Sequence, residues 1–276
     1  MDQSLVWTIP NSGGDIKIYI PGKKRVIHKI SGGADSAILL YILAKYRNDF
    51  NPDIKFDLAT SVNQQLPYQE IFAKKVIQYV NSVQPLGDFI HHVNTNLGDD
   101  DYNLGQDRVS EPLHNLDNIE EGYETMQWTG ITLNPPKDEM KANKMWDIDR
   151  VFARDPVPQG KTWKDHAIEI SEKNMIAYVE NLGATTAVVP SEDYPVKHYE
   201  MDGQPGVFKY QRPFRNHHKR HIAELYNTFN VMDDLFPLTR SCEKVTTDFS
   251  SHCGTCWFCL EREWGFGPLD AHLDND

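Results

Sequence analysis

The junction "RVIHKISGGADSAILLYILAKY", residues 25–46, constrains the fold of this 276-residue chain more than any other stretch. A short apolar segment typical of a strand ends in Ser-Gly-Gly, and a long segment that is apolar on nearly all sides follows Asp-Ser. This order predicts a strand, a tight glycine-rich turn and a helix packed on a sheet. The copy of "SGGD" at 12–15 precedes the strand-like "IKIYI", so it predicts a hairpin turn.

Strand and helix patterns alternate along the chain. Predicted strands are "LVWTI" and "DIKIYI" as an N-terminal hairpin, "IKFDLATSV", "DFIHHVNT", "TGITLNPP" with a turn at its end, and "TTAVVP". Predicted helices are "YQEIFAKKVIQYVNSV", with Ile71, Val76, Ile77 and Val80 on its apolar side, "NIEEGYETMQW", "KDHAIEISEKNMIAYVENLG" and "KRHIAELYNTF". The alternation predicts an α/β fold with a parallel sheet, whose ligands bind at the carboxyl ends of the strands.

Composition and charge exclude several classes of protein. Lys and Arg number 28 against 40 Asp and Glu, and the resulting net charge of −12 disfavours nucleic acid as a partner, because such binding needs a broad basic face. No apolar run approaches the ~20 residues of a membrane span, and the N-terminus lacks the apolar core of a signal peptide. We therefore expect a cytoplasmic protein with no membrane partner.

Two segments interrupt the α/β pattern. Residues 98–124 carry nine acidic residues and one basic residue, which predicts a solvated insertion, with a divalent-metal site as the alternative. Residues 134–163 are rich in proline and charge, and their aromatic residues predict a second insertion that packs and covers a pocket.

The glycine-rich turn has the chemistry of an anion site. Backbone N–H groups at such a turn converge on the helix N-terminus, where partial positive charge favours phosphate. Gly32 and Gly33 can take positive φ and let phosphate approach without a Cβ in the way. Ser31 and Ser36 can donate hydroxyl hydrogen bonds, and we expect a Mg²⁺ ion between Asp35 and the phosphates. A plain glycine-rich turn is the structural alternative.

All four cysteines lie within 18 residues, as Cys242-x10-Cys253-x2-Cys256-x2-Cys259. Four thiolates at this spacing predict a closed, tetrahedral Zn²⁺ site. An iron–sulfur cluster has the same ligand count, and a disulfide pair is disfavoured in the cytoplasm. We expect His252 beside this site and not among its ligands.

"SGGADS" resembles the SGGxDS signature of the PP-loop ATP pyrophosphatases. The resemblance implies a Rossmann-like adenine-nucleotide α-hydrolase domain whose loop binds the pyrophosphate part of ATP. It also implies cleavage between the α and β phosphates, with adenylation of a substrate oxygen. On this basis we expect the ATP-binding domain at 1–236, a zinc-binding segment at 237–267 and a tail at 268–276.

The C-terminal half resembles 7-cyano-7-deazaguanine synthase, a family of that superfamily. The matching positions are Pro213-Phe214, Lys219 to Ile222, Thr239 to Cys242, and His252 to Arg262, with weaker matches at Gln65, Glu70, Gly130 and Asn134. The family's Tyr-Pro-Asp-Cys-Arg substrate segment is absent, and the proline-rich insertion stands in its place. Trp146, Arg150, Phe152 and Arg154 of that insertion are candidates to stack on a planar substrate.

The synthase resemblance implies ATP- and ammonia-dependent conversion of 7-carboxy-7-deazaguanine to the nitrile. The expected catalytic residues are Asp35, Ser36 and Lys219. The expected nucleotide contacts are Ser31, Gly32, Gly33, Asp35, Ser36, Arg215 and Lys219 for phosphate and Mg²⁺, and Ser61 and Asn63 for adenine. The expected partners are ammonia and a purine-like carboxylate, and a homodimer is left open.

Other functions stay open on the same residues. A PP-loop enzyme with a different acceptor could modify tRNA or a nucleobase, transfer sulfur or conjugate a protein amine. A nucleotide-binding scaffold is the non-enzymatic alternative, although a scaffold has no need of an intact phosphate loop.

Overall fold

The computed structural model describes residues 6–63, 68–96, 123–145, 184–189, 196–201, 204–242 and 251–269. For residues 61–63, 94–96 and the strands between 184 and 210, only the backbone is described. The predicted helix at 164–183, the aromatic and arginine candidates between 146 and 163, most of both predicted insertions and the tail from 270 lie outside the described residues.

The elements follow the predicted alternation as far as residue 96. The strands are β1 (Trp7–Ile9), β2 (Ile16–Ile18), β3 (Lys24–Lys29), β4 (Lys55–Asn63), β5 (Phe89–Asn96), β6 (Glu124–Trp128), β7 (Ala184–Val189), β8 (Val196–Met201) and β9 (Gln204–Gln211). The helices are α1 (Ala34–Phe50), α2 (Tyr68–Val83), α3 (Lys137–Ala142), α4 (Lys219–Thr228) and α5 (Trp257–Phe266), with a short 3₁₀ turn at Phe236–Leu238.

Within the described residues, the main sheet has the order β5-β4-β3-β6-β9-β8-β7. The first five strands in this order are parallel, and β8 and β7 extend the sheet in antiparallel pairing. The chain runs outward from β3 through β4 to β5 and then returns to the other side of β3 as β6. The strand order therefore reverses between β3 and β6, and such a reversal opens a ligand crevice at the carboxyl ends of the strands.

One large apolar core lies between one face of this sheet and the helices α1, α2 and α4. Helix α1 is apolar on nearly all sides because the sheet covers one side and other elements cover the rest. The β1–β2 hairpin is part of this cover, since the Trp7 ring lies 5.8 Å from the rings of Phe50 and Phe229. The hairpin predicted from the first copy of "SGGD" is confirmed.

Three expectations about local structure are wrong. Residues 124–128 of the predicted helix "NIEEGYETMQW" form strand β6. This central strand buries Met126, Gln127 and Trp128 in succession, so its sequence lacks the alternation of apolar and polar residues that marks a half-buried strand. Residues 129–136 of the predicted strand "TGITLNPP" are irregular. Ile71 is 42% exposed, because it lies nine residues from the buried Val80 and hence about half a turn away around α2.

Strand β7 exists where predicted, but it pairs antiparallel with β8. Among the described residues, no helix is both long enough and apolar enough to cross a membrane.

Candidate active site and cysteine cluster

The glycine-rich loop at residues 31–36, called the phosphate loop below because its sequence predicts an anion site, connects β3 to α1 at the carboxyl edge of the sheet. Gly32 has φ +77°, and a Cβ atom on it would lie 2.6 Å from Phe72 Cβ and 2.8 Å from the Ala73 backbone nitrogen. Gly33 is the N-cap of α1 with φ −79° and ψ 161°, so it does not use the positive φ that is open to glycine. Only glycine fits at position 32, because the loop both turns left-handed and touches α2 there.

The two loop serines bond within the loop. Ser36 Oγ donates to the Gly33 carbonyl at 3.0 Å and accepts from the Ser31 N–H at 3.3 Å, while Ser31 Oγ accepts from the Gly33 N–H at 3.3 Å. Ser36 is buried and shapes the turn, whereas Ser31 also lines the cavity described below.

His28, on strand β3, fixes the end of the loop at the first turn of α1. Its buried Nε2–H donates to the Ser36 carbonyl at 2.8 Å. Burial lowers the pKa of His28 to about 4, so the ring is neutral at pH 7 and keeps this hydrogen bond.

Asp35 and Lys219 meet across the crevice. Lys219, the first residue of α4, forms an ion pair with Asp35 Oδ2, and its Nζ lies 4.0 Å from Glu261 Oε2. Thr132 Oγ1 donates to the same Asp35 oxygen at 3.4 Å. Asp35 Oδ1 is buried and has no hydrogen-bond donor among the described residues, so it is placed to accept a cation or a ligand donor.

The two predicted site residues face a cavity of about 270 Å³. Its described lining comes from the phosphate loop, the start of α2, the segment after β6, Lys219, the segment before Cys242, and α5. These residues are Ser31, Gly33, Ala34, Asp35, Tyr68, Gln69, Ile131, Thr132, Asn134, Lys219, Arg240, Ser241, Phe258 and Glu261. The N-terminus of the 17-residue helix α1 therefore opens into the cavity together with a lysine and two carboxylates.

Two further glycines set the width of this crevice. A Cβ on Gly130 would lie 2.8 Å from the Asp35 carbonyl carbon, so the segment after β6 abuts the first turn of α1. A Cβ on Gly265 would lie 2.2 Å from Lys219 Cβ, so helix α5 abuts the start of α4. The resemblance had singled out Gly130, but no sequence pattern pointed to Gly265.

The other predicted nucleotide contacts are Arg215, Ser61 and Asn63, and the described part of the structure shows none of their side chains in the cavity. Arg215 is not among the described residues that line the cavity, and its backbone N–H closes a turn onto the Arg212 carbonyl at 3.2 Å. Ser61 and Asn63 end strand β4 at the same edge of the sheet, but their side chains are outside the described atoms. The adenine contact remains a prediction.

The four cysteines form a cluster in which every Sγ lies within 4.8 Å of the others. Cys253 Sγ and Cys256 Sγ lie 3.8 Å and 3.4 Å from Cys259 Sγ. Cys242 and Cys259 are buried, and helix α5 begins one residue after Cys256. The cluster can therefore hold a metal.

The crowding of the thiols itself calls for a cation. A hydrogen bond with Cys242 is the main reason that the pKa of Cys256 rises to about 11. The pKa of Cys259 is raised further, by hydrogen bonds with Cys242 and Cys256 and by burial. A bound dication offsets the cost of ionising several adjacent thiols, so this donor set fits a metal.

Two buried arginines join the cluster to the rest of the protein. Arg240 Nε donates to the Cys242 carbonyl at 3.1 Å, and its Nη1 donates to the Ser251 carbonyl at 2.6 Å. Arg262, from α5, donates to Thr239 Oγ1 at 2.8 Å, to Ser241 Oγ at 3.3 Å, and to the carbonyls of Phe236 and Leu269. His252 lies beside the cluster as expected, where its Nε2 accepts from the Ser241 N–H at 3.3 Å.

Sequence reasoning missed several of the cavity residues. Thr132 follows β6 and would have been a candidate had that strand been recognised, because polar residues after a parallel strand reach the ligand edge; Asn134 had been named only as a weaker match of the resemblance. Arg240 and Glu261 lie two residues from Cys242 and Cys259, so proximity to the cluster was the available signal.

The sequence comparisons and the structure comparison differ in outcome. No protein-family model matches the chain, and no curated protein matches it. Among solved structures, the chain is similar to the U34-tRNA thiolase NcsA from Methanococcus maripaludis, determined with its 4Fe–4S cluster. The sequence identity is 14% and the TM-score is 0.43, over 92% of this chain and 77% of the thiolase. The fold and the site described above rest on their own geometry.

Proposed function

We propose that the chain is an ATP-dependent ligase that activates a carboxylate by adenylation, releases pyrophosphate and transfers the acyl group to ammonia. One observation carries the proposal. "SGGADS" follows a central parallel strand at the point where the strand order reverses, and it opens into a cavity that contains Lys219 and Asp35. This is the position at which an open α/β sheet binds a phosphorylated ligand.

The charges around the cavity suit the triphosphate of ATP with Mg²⁺. The N-terminus of α1 and the Ser31 hydroxyl offer donors to phosphate oxygens, and Lys219 offers a mobile cation. The buried Asp35 Oδ1 offers a carboxylate oxygen, the ligand type that Mg²⁺ prefers. When nucleotide binds, the Lys219 ammonium can turn from Asp35 to a phosphate oxygen while Glu261 still neutralises part of its charge.

The proposed reaction depends on pyrophosphate as a good leaving group. A carboxylate oxygen attacks the α phosphorus, the bond from that phosphorus to the α–β bridging oxygen breaks, and pyrophosphate leaves with both electrons. Ammonia then attacks the acyl carbon, AMP leaves, and the nitrogen gives up one proton, which forms the amide. In a second round the amide oxygen attacks another α phosphorus, and loss of that oxygen with AMP and of the two nitrogen protons yields the nitrile. Positioning and neutralisation of charge supply most of the rate.

The acid proposed is 7-carboxy-7-deazaguanine or a close purine-like relative. The support is the C-terminal resemblance together with the second wall of the cavity, where Tyr68 and Phe258 supply rings and Gln69 and Asn134 supply amides. Rings suit the faces of a planar heterocycle, and amides suit its polar edge. We assign adenine to the end of β4, near Ser61 and Asn63, as the resemblance implies.

The same activation could serve another acceptor, which is the second candidate function. It includes modification of tRNA or a nucleobase, sulfur transfer and conjugation to a protein amine. The absence of the synthase substrate segment favours it, because the acid-binding part of the site then differs from that family. Sulfur transfer would have to use a cysteine of the cluster, since the chain has four cysteines in all.

We propose one Zn²⁺ per chain, held by Cys242, Cys253, Cys256 and Cys259. A tetrahedral site with Zn–S bonds of about 2.3 Å has S–S edges of about 3.8 Å, close to the separations observed for two of its pairs. With four protein ligands such a site stabilises the fold and leaves no open position for catalysis. Bound iron with visible absorption would support the iron–sulfur alternative.

The test is incubation of the metal-loaded protein with MgATP, ammonium and 7-carboxy-7-deazaguanine, followed by mass spectrometry. The amide or nitrile with AMP and pyrophosphate supports the synthase function. An adenylated acid that ammonia does not resolve supports the second candidate. Asp35→Ala is expected to abolish turnover with the fold intact, and unchanged turnover would remove Asp35 from the site. No binding and no pyrophosphate release with this compound would refute the substrate assignment.

A further inference from the structure

We propose that Arg240 is a positioning residue that ties the cysteine cluster to the phosphate loop, so that metal binding and nucleotide binding strengthen each other. The inference rests on the proposed nucleotide site, and it adds a means by which the metal controls that site. Nothing in the resemblance assigns such a role to this arginine.

The first link is in the main chain. The Arg240 N–H donates to the Gly32 carbonyl at 2.9 Å. Gly32 is the left-handed residue of the phosphate loop, and its other side already touches α2. The peptide that follows Gly32 is therefore held by Arg240, and the orientation of this peptide decides where the Gly33 N–H points, which here is toward Ser31 Oγ at 3.3 Å. Anion binding at such a turn depends on that direction.

The second link is in the side chain. Arg240 is 2% exposed, and two of its guanidinium nitrogens donate to the carbonyls of Cys242 and Ser251. A buried guanidinium stays charged, so it is costly to leave without acceptors. One of these carbonyls belongs to a cluster cysteine and the other lies two residues before Cys253. The two acceptors stay together when the segments that carry Cys242 and Cys253 stay together.

A metal bound by the four cysteines would hold those segments together. The Cys253 N–H donates to Cys242 Sγ at 3.4 Å, a weak bond to sulfur. Shared coordination by one metal would join the two cysteines far more strongly. Loss of the metal would let the segments separate, move these two carbonyls away from the Arg240 guanidinium and loosen the hold of Arg240 on Gly32.

The side chain of Arg240 also reaches the far wall of the cavity. Its guanidinium carbon lies 5.3 Å from the centre of the Tyr68 ring and 5.9 Å from that of Phe72. Tyr68 lines the cavity, and Phe72 is the residue against which Gly32 packs. Movement of Arg240 would thus change the loop and the start of α2 together.

Coupling of this kind is reciprocal, so each ligand raises the affinity of the other by the same factor. We expect a factor of about ten, within the range usual for coupled sites. The first measurement is calorimetry with Mg²⁺ and α,β-methylene ATP on protein carrying its metal and on protein stripped by a chelator. The second is the rate at which a chromogenic chelator removes metal from loaded protein, with and without the nucleotide analogue.

Arg240→Lys is the test variant, and Arg262→Lys is its matched control. Both arginines are buried and bond the same segment, but the described partners of the Arg262 side chain are Phe236, Thr239, Ser241 and Leu269. In the wild type we expect metal loading to tighten nucleotide binding about tenfold and the nucleotide to slow metal release. In Arg240→Lys, the ratio of nucleotide affinities with and without metal and the ratio of metal-release rates with and without nucleotide should both approach one. In Arg262→Lys, both ratios should stay at their wild-type values.

The outcomes separate this inference from the proposed function. No nucleotide binding by metal-loaded wild type would overturn both. Binding of equal strength with and without metal, and metal release unaffected by nucleotide, would overturn the coupling alone. Full coupling in Arg240→Lys would assign it to another residue. If the stripped protein unfolds, the release rate from loaded protein still decides the question.

Discussion

Substitution of Gly32 by alanine tests how the phosphate loop is built. Two costs add at this position. A φ of +77° disfavours a residue with a Cβ by about 1 kcal/mol or slightly more. The new Cβ would also lie 2.6 Å from Phe72 Cβ, and relief of such overpacking costs typically about 1–3 kcal/mol. We therefore expect Gly32→Ala to lower the free energy of unfolding by about 2–4 kcal/mol.

Two other glycines serve as controls. Gly22 has φ +62° with nothing within 4 Å of a new Cβ, so Gly22→Ala carries the backbone cost alone, about 1 kcal/mol. Gly33 has negative φ, and its new Cβ would meet only Ser31 Oγ at 3.4 Å and the Arg240 carbonyl oxygen at 3.7 Å among the described atoms. Gly33→Ala should cost less than Gly32→Ala in stability.

The assay is urea denaturation of the three variants and the wild type, with calorimetric binding of the ATP analogue under native conditions. Gly32→Ala should be the least stable and should bind the analogue at least tenfold more weakly, a loss of about 1.4 kcal/mol. Equal stability losses for Gly32→Ala and Gly22→Ala would refute the argument that contact with α2 fixes the loop. Unchanged binding by Gly32→Ala would refute its place at the phosphates.

Three further perturbations test other parts of the account. His28 has a folded pKa of about 4 against an ordinary value of 6.5, so the free energy of unfolding should fall by about 3 kcal/mol as the pH drops from 6.5 to 4 and the ring becomes protonated. His28→Gln should flatten the dependence of the unfolding free energy on pH in that window, and equal slopes in the two proteins would contradict this. Cys256→Ser should lower the zinc content, as measured by elemental analysis, and it should affect the melting temperature more than the rate of any chemical step. A full zinc content would exclude Cys256 as a ligand. Gly265→Ala should displace Lys219 from Asp35 and weaken nucleotide binding at unchanged metal content, and unchanged binding would show that Lys219 tolerates the shift.

Local patterns were enough to predict several of the elements around the site, but not β6 or α5. The strand, glycine turn and helix at 24–50 are encoded by contiguous residues, and so are the hairpin, β4, α2, β5 and α4. Strand β6 could not be recognised in this way, because a central strand is buried on both faces by neighbours distant in sequence. Strands β8 and β9 were missed although Asp202-Gly203 between them is a hairpin signal.

The candidate site was predictable only in part. The phosphate loop and the cysteine spacing are short motifs with strong chemical meaning, so the sequence alone identified Asp35 and the four cysteines as candidates. The pairing of Asp35 with Lys219 was not foreseen, because it joins residues 184 positions apart. The hold of Arg240 on Gly32 likewise depends on how the cluster packs beside the loop, which no local pattern contains.

Product analysis of ATP turnover tests the central claim most directly. The metal-loaded protein is incubated with Mg²⁺, ammonium, 7-carboxy-7-deazaguanine and ATP labelled at the α phosphate, and the nucleotides are separated by anion exchange, with Asp35→Ala as the control. Adenylation predicts the label in AMP, pyrophosphate in equal amount, and neither product from Asp35→Ala. Label in ADP, with release of inorganic phosphate, would contradict cleavage between the α and β phosphates and with it the proposed function.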